Sequence, residues 1–195
     1  VRDNIAFNLY RLTTGKTEQC VNERPLTGPT CLIDDAPGDA TGYLVRPVLD
    51  GKETSTGKLA SILPADFIEI PIQPIPDYRP GDASAADLDG DGEYEIILHQ
   101  VSGGRDNSFS GITGSPVLDA YKLDGTRLWR IDLGINIREG EHYTQFIVYD
   151  LDGDGRAGLV CKTADGTMDG AGKIIGEKGK NWRSNRYRCA RCFTW

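Results

Sequence analysis

The residues of this chain best suited to chemistry are carboxylates set at alternate positions in two glycine-rich runs. Asp87-Leu88-Asp89-Gly90-Asp91-Gly92 recurs as Asp150-Leu151-Asp152-Gly153-Asp154-Gly155, an offset of 63 residues from Asp87 to Asp150. The spacing puts three carboxylates on one side of a tight loop, and glycine permits the sharp turn. Calcium takes roughly six to eight oxygen ligands, so this is calcium-loop chemistry. In the first run Asp87, Asp89 and Asp91 are the side-chain ligands, the Glu93 carbonyl is a fourth, and Glu95 is placed to close the cage. In the second, Asp150, Asp152 and Asp154 are present, but Gly158 stands where the first copy has Glu95. Close carboxylates without a cation repel, which weighs against a merely solvated acidic turn. An EF-hand needs a glutamate at loop position 12; Leu98 and Cys161 occupy that place here, and β-rich runs follow instead of helices.

The elements that must position these loops are short strands. Before residue 75, Ile5-Ala6-Phe7-Asn8-Leu9-Tyr10-Arg11 alternates with Ile5, Phe7 and Leu9 on one face. Tyr43–Leu49 is a second strand closed by an Asp50-Gly51 turn, and Phe67–Ile70 a third, which together suggest a small β-sandwich. Five of the ten prolines fall between Pro64 and Pro80. Proline removes ladder donors, so Ile70 to Pro80 is an extended connector and a domain boundary. Each acidic loop then lies between two strand candidates, Ala83–Ala86 and Tyr94–His99 for the first, Gln145–Tyr149 and Gly158–Lys162 for the second. Val117–Leu123 and Arg127–Leu133 form a hairpin between the copies. Four strands and then a restart describe a propeller blade, although two calcium loops in an ordinary sandwich would give a similar pattern. The Gly/Ser-rich stretch from Ser102 to Pro116 is longer than a hairpin needs, which favours a functional insertion.

Composition narrows the class. The 195 residues are 38% hydrophobic and 26% charged, as in soluble globular proteins, and no apolar run is long enough to span a membrane. The net charge of −7 repels phosphate backbones and makes nucleic acid a poor partner. Cys20 and Cys31 are a candidate pair, Cys161 reads as a buried thiol, and Cys189 with Cys192 is a lone C-x-x-C, weak as a zinc signal. Residues 178–195 carry six basic side chains and no acidic ones, a compositional break that suggests a shifted reading frame or a gene fragment. The chain begins at Val1 without a charged-then-apolar leader, so a signal peptide is expected to have been removed.

Longer runs carry a family resemblance. Asp87 to Leu98, the run Asp119-Ala120-Tyr121-Lys122-Leu123-Asp124-Gly125-Thr126-Arg127-Leu128-Trp129, and Asn136 to Phe146 leading through the second loop to Cys161-Lys162-Thr163-Ala164-Asp165-Gly166-Thr167 together resemble rhamnogalacturonan lyases of polysaccharide lyase family 11. The H-Y-T-Q-F run at 142–146 and the K-T-A-D-G-T run at 162–167 are the specific part, and the resemblance fades after Ser184. It implies an all-β chain: an N-terminal β-sandwich-like (fibronectin III-like) domain over 1–75, then the first one to two blades of an eight-bladed β-propeller over 76–183, incomplete here, and an anomalous tail over 184–195. It implies secretion to an extracellular or periplasmic space, calcium dependence, and cleavage of the rhamnogalacturonan I backbone of pectin, with this chain a truncated fragment whose activity on its own is left open. The competing readings are a non-catalytic calcium-binding β-repeat module for carbohydrate binding or adhesion, and a broken gene product whose unpaired strand edges aggregate.

A uronate lyase removes the proton alpha to a carboxylate and expels the glycosidic oxygen from the β carbon. The carboxylate must be neutralised and a base must take the proton. Arg105, Asp106 and Asn107 in the long loop, His142 and Gln145 beside the second inner strand, and Lys162 and Asp165 after the next strand are the candidate substrate residues. His142 and Lys162 are the candidate catalytic groups. His142 has an equal claim to a structural role, Lys162 either pairs with the uronate or caps an acidic loop, and Asp106 is the better candidate for a structural or calcium role. The missing glutamate at Gly158 predicts two unequal calcium sites, the first stronger; calorimetric titration resolving two equal tight sites would contradict this.

Overall fold

The structure, a computed structural model, describes residues 5–29, 31–54, 57–103, 111–140 and 144–183. Among these there are thirteen strands and no helix, and so no helix long and apolar enough to cross a membrane. The chain divides into two compact units, Val1–Ile68 and Glu69–Trp195.

In the first unit, β1 (Ile5–Thr13), β2 (Gln19–Cys20), β3 (Ala40–Leu49) and β4 (Lys52–Glu53) form one antiparallel sheet in the order β2-β1-β3-β4, and β5 (Leu59–Ser61) also pairs with β3. Asp50-Gly51 makes the expected turn, with Leu49 opposite Lys52. Ile5, Phe7 and Leu9 do share a face, opposite Leu49, Pro47 and Val45 of β3. The buried side is the other one, however, carrying Ala6, Leu44 and Val48, while Phe7 is 39% exposed. The described strands of this unit all belong to one sheet, so no second layer covers the Phe7 face among them. The expected strand at Phe67–Ile70 is absent. Pro64 and Pro71 bracket it, Pro71 cannot donate to a ladder and restricts Ile70, and Phe67 and Ile68 are exposed. Cys20 and Cys31 are free and exposed, so they do not pair; Cys20 Sγ lies 3.3 Å from the Asn22 carbonyl.

In the second unit, β6 (Arg79–Ala86), β7 (Glu95–Val101), β8 (Val117–Tyr121) and β9 (Arg127–Asp132) form an antiparallel meander. After β9 the chain restarts with a separate hairpin, β10 (Phe146–Tyr149) and β11 (Gly158–Cys161). A shorter hairpin, β12 (Thr167–Met168) and β13 (Ile174–Ile175), then extends the first sheet beyond β9, giving the order β13-β12-β9-β8-β7-β6. Pro80 is tolerated because β6 is an edge strand whose register shifts between Pro80 and Ala83. Leu118, Leu133, Ile137 and Ala164 make the core, and Phe146, Leu159 and Cys161 of the second hairpin pack on it. The opposite face of that hairpin leaves Ile147 and Tyr149 exposed.

β8 is buried along its whole length, and it carries a carboxylate in the middle. Leu118 and Ala120 face the core, so alternation turns Val117, Asp119 and Tyr121 to the other side. There Asp119 accepts from Arg130 Nε and Nη2 (2.7 Å each), from the Tyr121 hydroxyl (2.8 Å) and from Gln100 Nε2. The three partners of Asp119 also hold the proline-rich connector. Gln73 N donates to the Tyr121 hydroxyl (3.1 Å), the Gln73 carbonyl accepts from Gln100 Nε2 (3.1 Å) and Arg130 Nη2 (3.0 Å), and Ile75 N donates to Gln100 Oε1 (3.1 Å). The expected connector ends sooner than Pro80, because Arg79 and Pro80 already pair with β7; before them it makes no ladder, and at Gln73 and Ile75 its backbone groups are satisfied by side chains instead. The approach is close enough that a Cβ on Gly125, itself at φ +86°, would lie 2.4 Å from Pro71 Cγ.

Burial pushes the Asp119 carboxyl up, but Arg130, Tyr121 and Gln100 outweigh it and hold its pKa below the ordinary carboxylate value. Its contribution to stability is therefore present above the unfolded pKa and lost as the pH falls through the folded one. Asp119→Ala strands the Arg130 guanidinium and should cost about 3–5 kcal/mol in denaturant unfolding at neutral pH. Asp119→Asn should also flatten the acid limb of the stability profile.

Candidate functional site

The two acidic loops fold alike, by hydrogen bonds from their own backbone. Asp87 accepts from Gly90 N (2.6 Å) and Gly92 N (2.9 Å); Asp150 accepts from Gly153 N (2.8 Å) and Gly155 N (3.0 Å). The four glycines all have φ between 75° and 88°, which a side chain would strain. Ligand oxygens of Asp87, Asp89 and Glu95 lie within 4.8 Å of one another, and so do those of Asp150, Asp152 and Asp154. The first set includes the closing Glu95, which is buried and also accepts from Leu88 N (2.8 Å). Asp91 stands outside that set, accepting from Glu93 N (2.7 Å). The two loops also touch, since Ala157 N donates to the Asp87 carbonyl (2.7 Å) and the Arg156 side chain lies against Gly90.

Their counter-charges differ. The Lys122 ammonium sits in the first loop, 2.7 Å from Asp89, 3.4 Å from Asp91 and 3.6 Å from Glu95. Its hydrogen bond to Asp89 raises its pKa well above the ordinary lysine value and lowers that of Asp89. Among the described residues no lysine or arginine side chain pairs with the second loop. The cap on an acidic loop is thus Lys122, which the motif reading did not nominate, and not Lys162. Lys162 is exposed just past β11 and makes no ion pair among the described residues. Gln145 is exposed just before β10.

Asp165 holds the chain together. Its carboxylate accepts from Glu177 N (2.9 Å) and Trp182 Nε1 (2.9 Å), in that order the chief causes of its lowered pKa. Asn136 completes the hook, donating to the Asp165 and Lys180 carbonyls (2.7 and 2.9 Å) and accepting from Trp182 N (2.7 Å). A second buried carboxylate was also missed. Glu139, fully buried, accepts from Ser102 N (2.9 Å) and Ser102 Oγ (2.7 Å), while its own N donates to Thr113 Oγ1 (2.8 Å). His99 Nε2 lies 3.3 Å from it but is too poorly directed for a hydrogen bond. Burial pushes the Glu139 pKa up; His99 and Ser102 more than reverse this and leave it lowered. Ser102 and Thr113 flank the long insertion, so Glu139 ties its two stems to one residue. Arg105, Asp106, Asn107 and His142, and Cys189 and Cys192, lie outside the described residues. Cys161 is half-buried, and burial raises its thiol pKa.

The meander, the restarting hairpin and the paired acidic loops define an all-β protein. The family model for the C-terminal domain of rhamnogalacturonan lyase family 11 matches residues 71–191, and the chain belongs to that family. That match continues past Ser184. The chain is 43% identical to the rhamnogalacturonan endolyase YesW and 44% identical to the rhamnogalacturonan exolyase YesX, both of Bacillus subtilis (strain 168), over 95% of its length and 31% of theirs. It superposes on a Bacillus licheniformis rhamnogalacturonan lyase with a TM-score of 0.73 at 44% identity, over 95% of this chain and 33% of that one. The chain therefore spans about a third of the length of the relatives it matches.

Asp165→Ala removes the acceptor of the Trp182 indole and of Glu177 N. Limited trypsin digestion after Lys178 and Lys180 should then proceed about tenfold faster than in the unaltered chain, without loss of the core.

Proposed function

We propose that this chain is part of a calcium-dependent rhamnogalacturonan lyase that cleaves the rhamnogalacturonan I backbone of pectin by β-elimination outside the cell. The observation that carries this reading is the match over 95% of the chain to both an endolyase and an exolyase of that polymer. The domain reading goes with it: an N-terminal fibronectin III-like β-domain, then blades of an eight-bladed propeller. The β6–β9 meander and the restart at β10 support it. A polymer too large to cross a membrane supports a secreted enzyme.

In the elimination, a base takes the proton alpha to the uronate carboxylate, the electron pair forms a carbon–carbon double bond, and the glycosidic oxygen leaves from the β carbon and is protonated. His142 and Lys162 are the candidates for proton transfer and carboxylate binding. The exposed ammonium of Lys162, without an ion-pair partner among the described residues, supports a contact to the uronate. Gln145, exposed beside β10, is proposed to bind sugar hydroxyls together with Arg105, Asp106 and Asn107.

The acidic loops fit a hard cation. Their donors are carboxylate oxygens, and in the first loop these already converge on an ammonium. Asp87, Asp89 and Glu95 would hold one calcium ion, and Asp150, Asp152 and Asp154 another. Bound there, calcium would supply positive charge that cancels carboxylate repulsion and stiffens the loops.

The conjugated product of elimination absorbs in the ultraviolet. Rhamnogalacturonan I mixed with a full-length relative carrying this segment should give a rising absorbance, abolished by chelator and reduced about a hundredfold by Lys162→Ala. Binding of the polymer with no rise in absorbance would favour the non-catalytic calcium module instead.

A further inference from the structure

We propose that Lys122 is a tethered counter-cation of the first acidic loop, and that a calcium ion entering that loop must displace its ammonium. This goes beyond the calcium reading above and rests on it only where the metal is concerned.

The placement follows from the sheet. Pairing of β7 with β8 sets Ile96 opposite Tyr121, which brings the residues just beyond those positions, Glu95 and Lys122, to the same end of the strand pair. Lys122 begins the turn to β9, where its N donates to the Thr126 carbonyl and its carbonyl accepts from Gly125 N (2.9 Å each). The backbone at the root of the side chain is therefore fixed, and the ammonium is delivered to the carboxylates. Its hydrogen bond is to Asp89 (2.7 Å), one of the three residues whose oxygens converge, and it also lies 3.6 Å from the buried Glu95. An ammonium 2.7 Å from Asp89 and 3.6 Å from Glu95 repels a divalent cation drawn to the same two carboxylates, so the two compete for them. The first loop thus carries the better ligand set, with Glu95, and also a built-in competitor for it. The second loop has neither the glutamate nor, among the described residues, a lysine or arginine partner. The ammonium keeps the first loop's charge compensated when calcium is scarce, so the two loops respond differently to calcium withdrawal.

The test is calorimetric calcium titration and thermal unfolding of the whole chain. Asp152→Asn weakens the second loop and isolates the first; Lys122→Met is added to it. Loss of a charge-assisted competitor should tighten calcium binding at the first loop by about tenfold or more. In chelator, Lys122→Met should melt at a lower temperature than the unaltered chain, with calcium restoring the difference, and Lys122→Arg should keep most of the chelator stability. Calcium affinity that is unchanged or weaker in Lys122→Met overturns the proposal, as does an unchanged melting temperature in chelator. If Lys122→Met folds only with calcium, the proposal stands; if it folds in neither condition, the residue is needed for packing and the proposal falls. If the unaltered chain and all variants bind no calcium, the calcium reading fails by itself. The melting comparison in chelator then decides whether Lys122 is the counter-cation.

Discussion

A carboxylate buried in the middle of an otherwise apolar strand constrains the whole second unit. Asp119 cannot be left unpaired away from water, and its position on β8 dictates where its partners must be: Arg130 on β9, Tyr121 two residues along, Gln100 on β7. The meander register is the one that satisfies all of them at once. The surplus hydrogen-bonding capacity of those partners then binds the connector at Gln73 and Ile75, which covers that face of the sheet. The same register that pairs Asp119 also brings Lys122 beside Glu95. One buried charge thereby links strand alignment, the seating of the connector and the electrostatics of the first acidic loop.

The two acidic loops separate what backbone and side chains contribute. Their glycines and the leading aspartate of each reproduce one turn twice, with nearly the same hydrogen bonds. That much is local and belongs to the motif. What differs is supplied from elsewhere: Glu95 from the following strand, Lys122 from the next hairpin, and Arg156 of the second loop leaning on Gly90 of the first. A repeated motif thus fixes a shape, while neighbouring strands decide how much negative charge that shape retains.

These differences mark what sequence can and cannot show here. The meander strands were legible because alternation and the Asp124-Gly125 turn bound them on both sides. The short strands β2, β4, β5, β12 and β13 were not, since two or three residues carry no periodicity. Phe67–Ile70 has strand composition, but the prolines around it leave no ladder to join. Glu95 was found from loop spacing. Lys122 and Glu139 were missed because their partners are distant in sequence and close only once strands pair. Asp119 did leave a signal: a charge between apolar neighbours in a strand implies a buried partner, and Arg130 on the facing strand was the nearest cation to expect.

Hydrogen-bond saturation also separates carboxylates that build the fold from groups left free to meet a ligand. Asp119 and Glu139 spend their acceptors on internal donors, and they are buried. Asp165 was nominated for sugar binding, yet one oxygen takes the Glu177 amide and the other the Trp182 indole. A sugar hydroxyl there would have to share an acceptor already in use or unfasten residues 177–182. Lys162 and Gln145 stand at the other extreme, exposed at the ends of β11 and β10, which pair with each other. Cys161 opposes Phe146 in that pairing, so the residues just beyond them, Lys162 and Gln145, project from the same end of the hairpin. A polymer passing that end would meet a cation and an amide that form no side-chain hydrogen bond among the described residues. The end of the second hairpin, unlike the Asp165 carboxylate, thus keeps a cation and an amide exposed and unspent among the described residues.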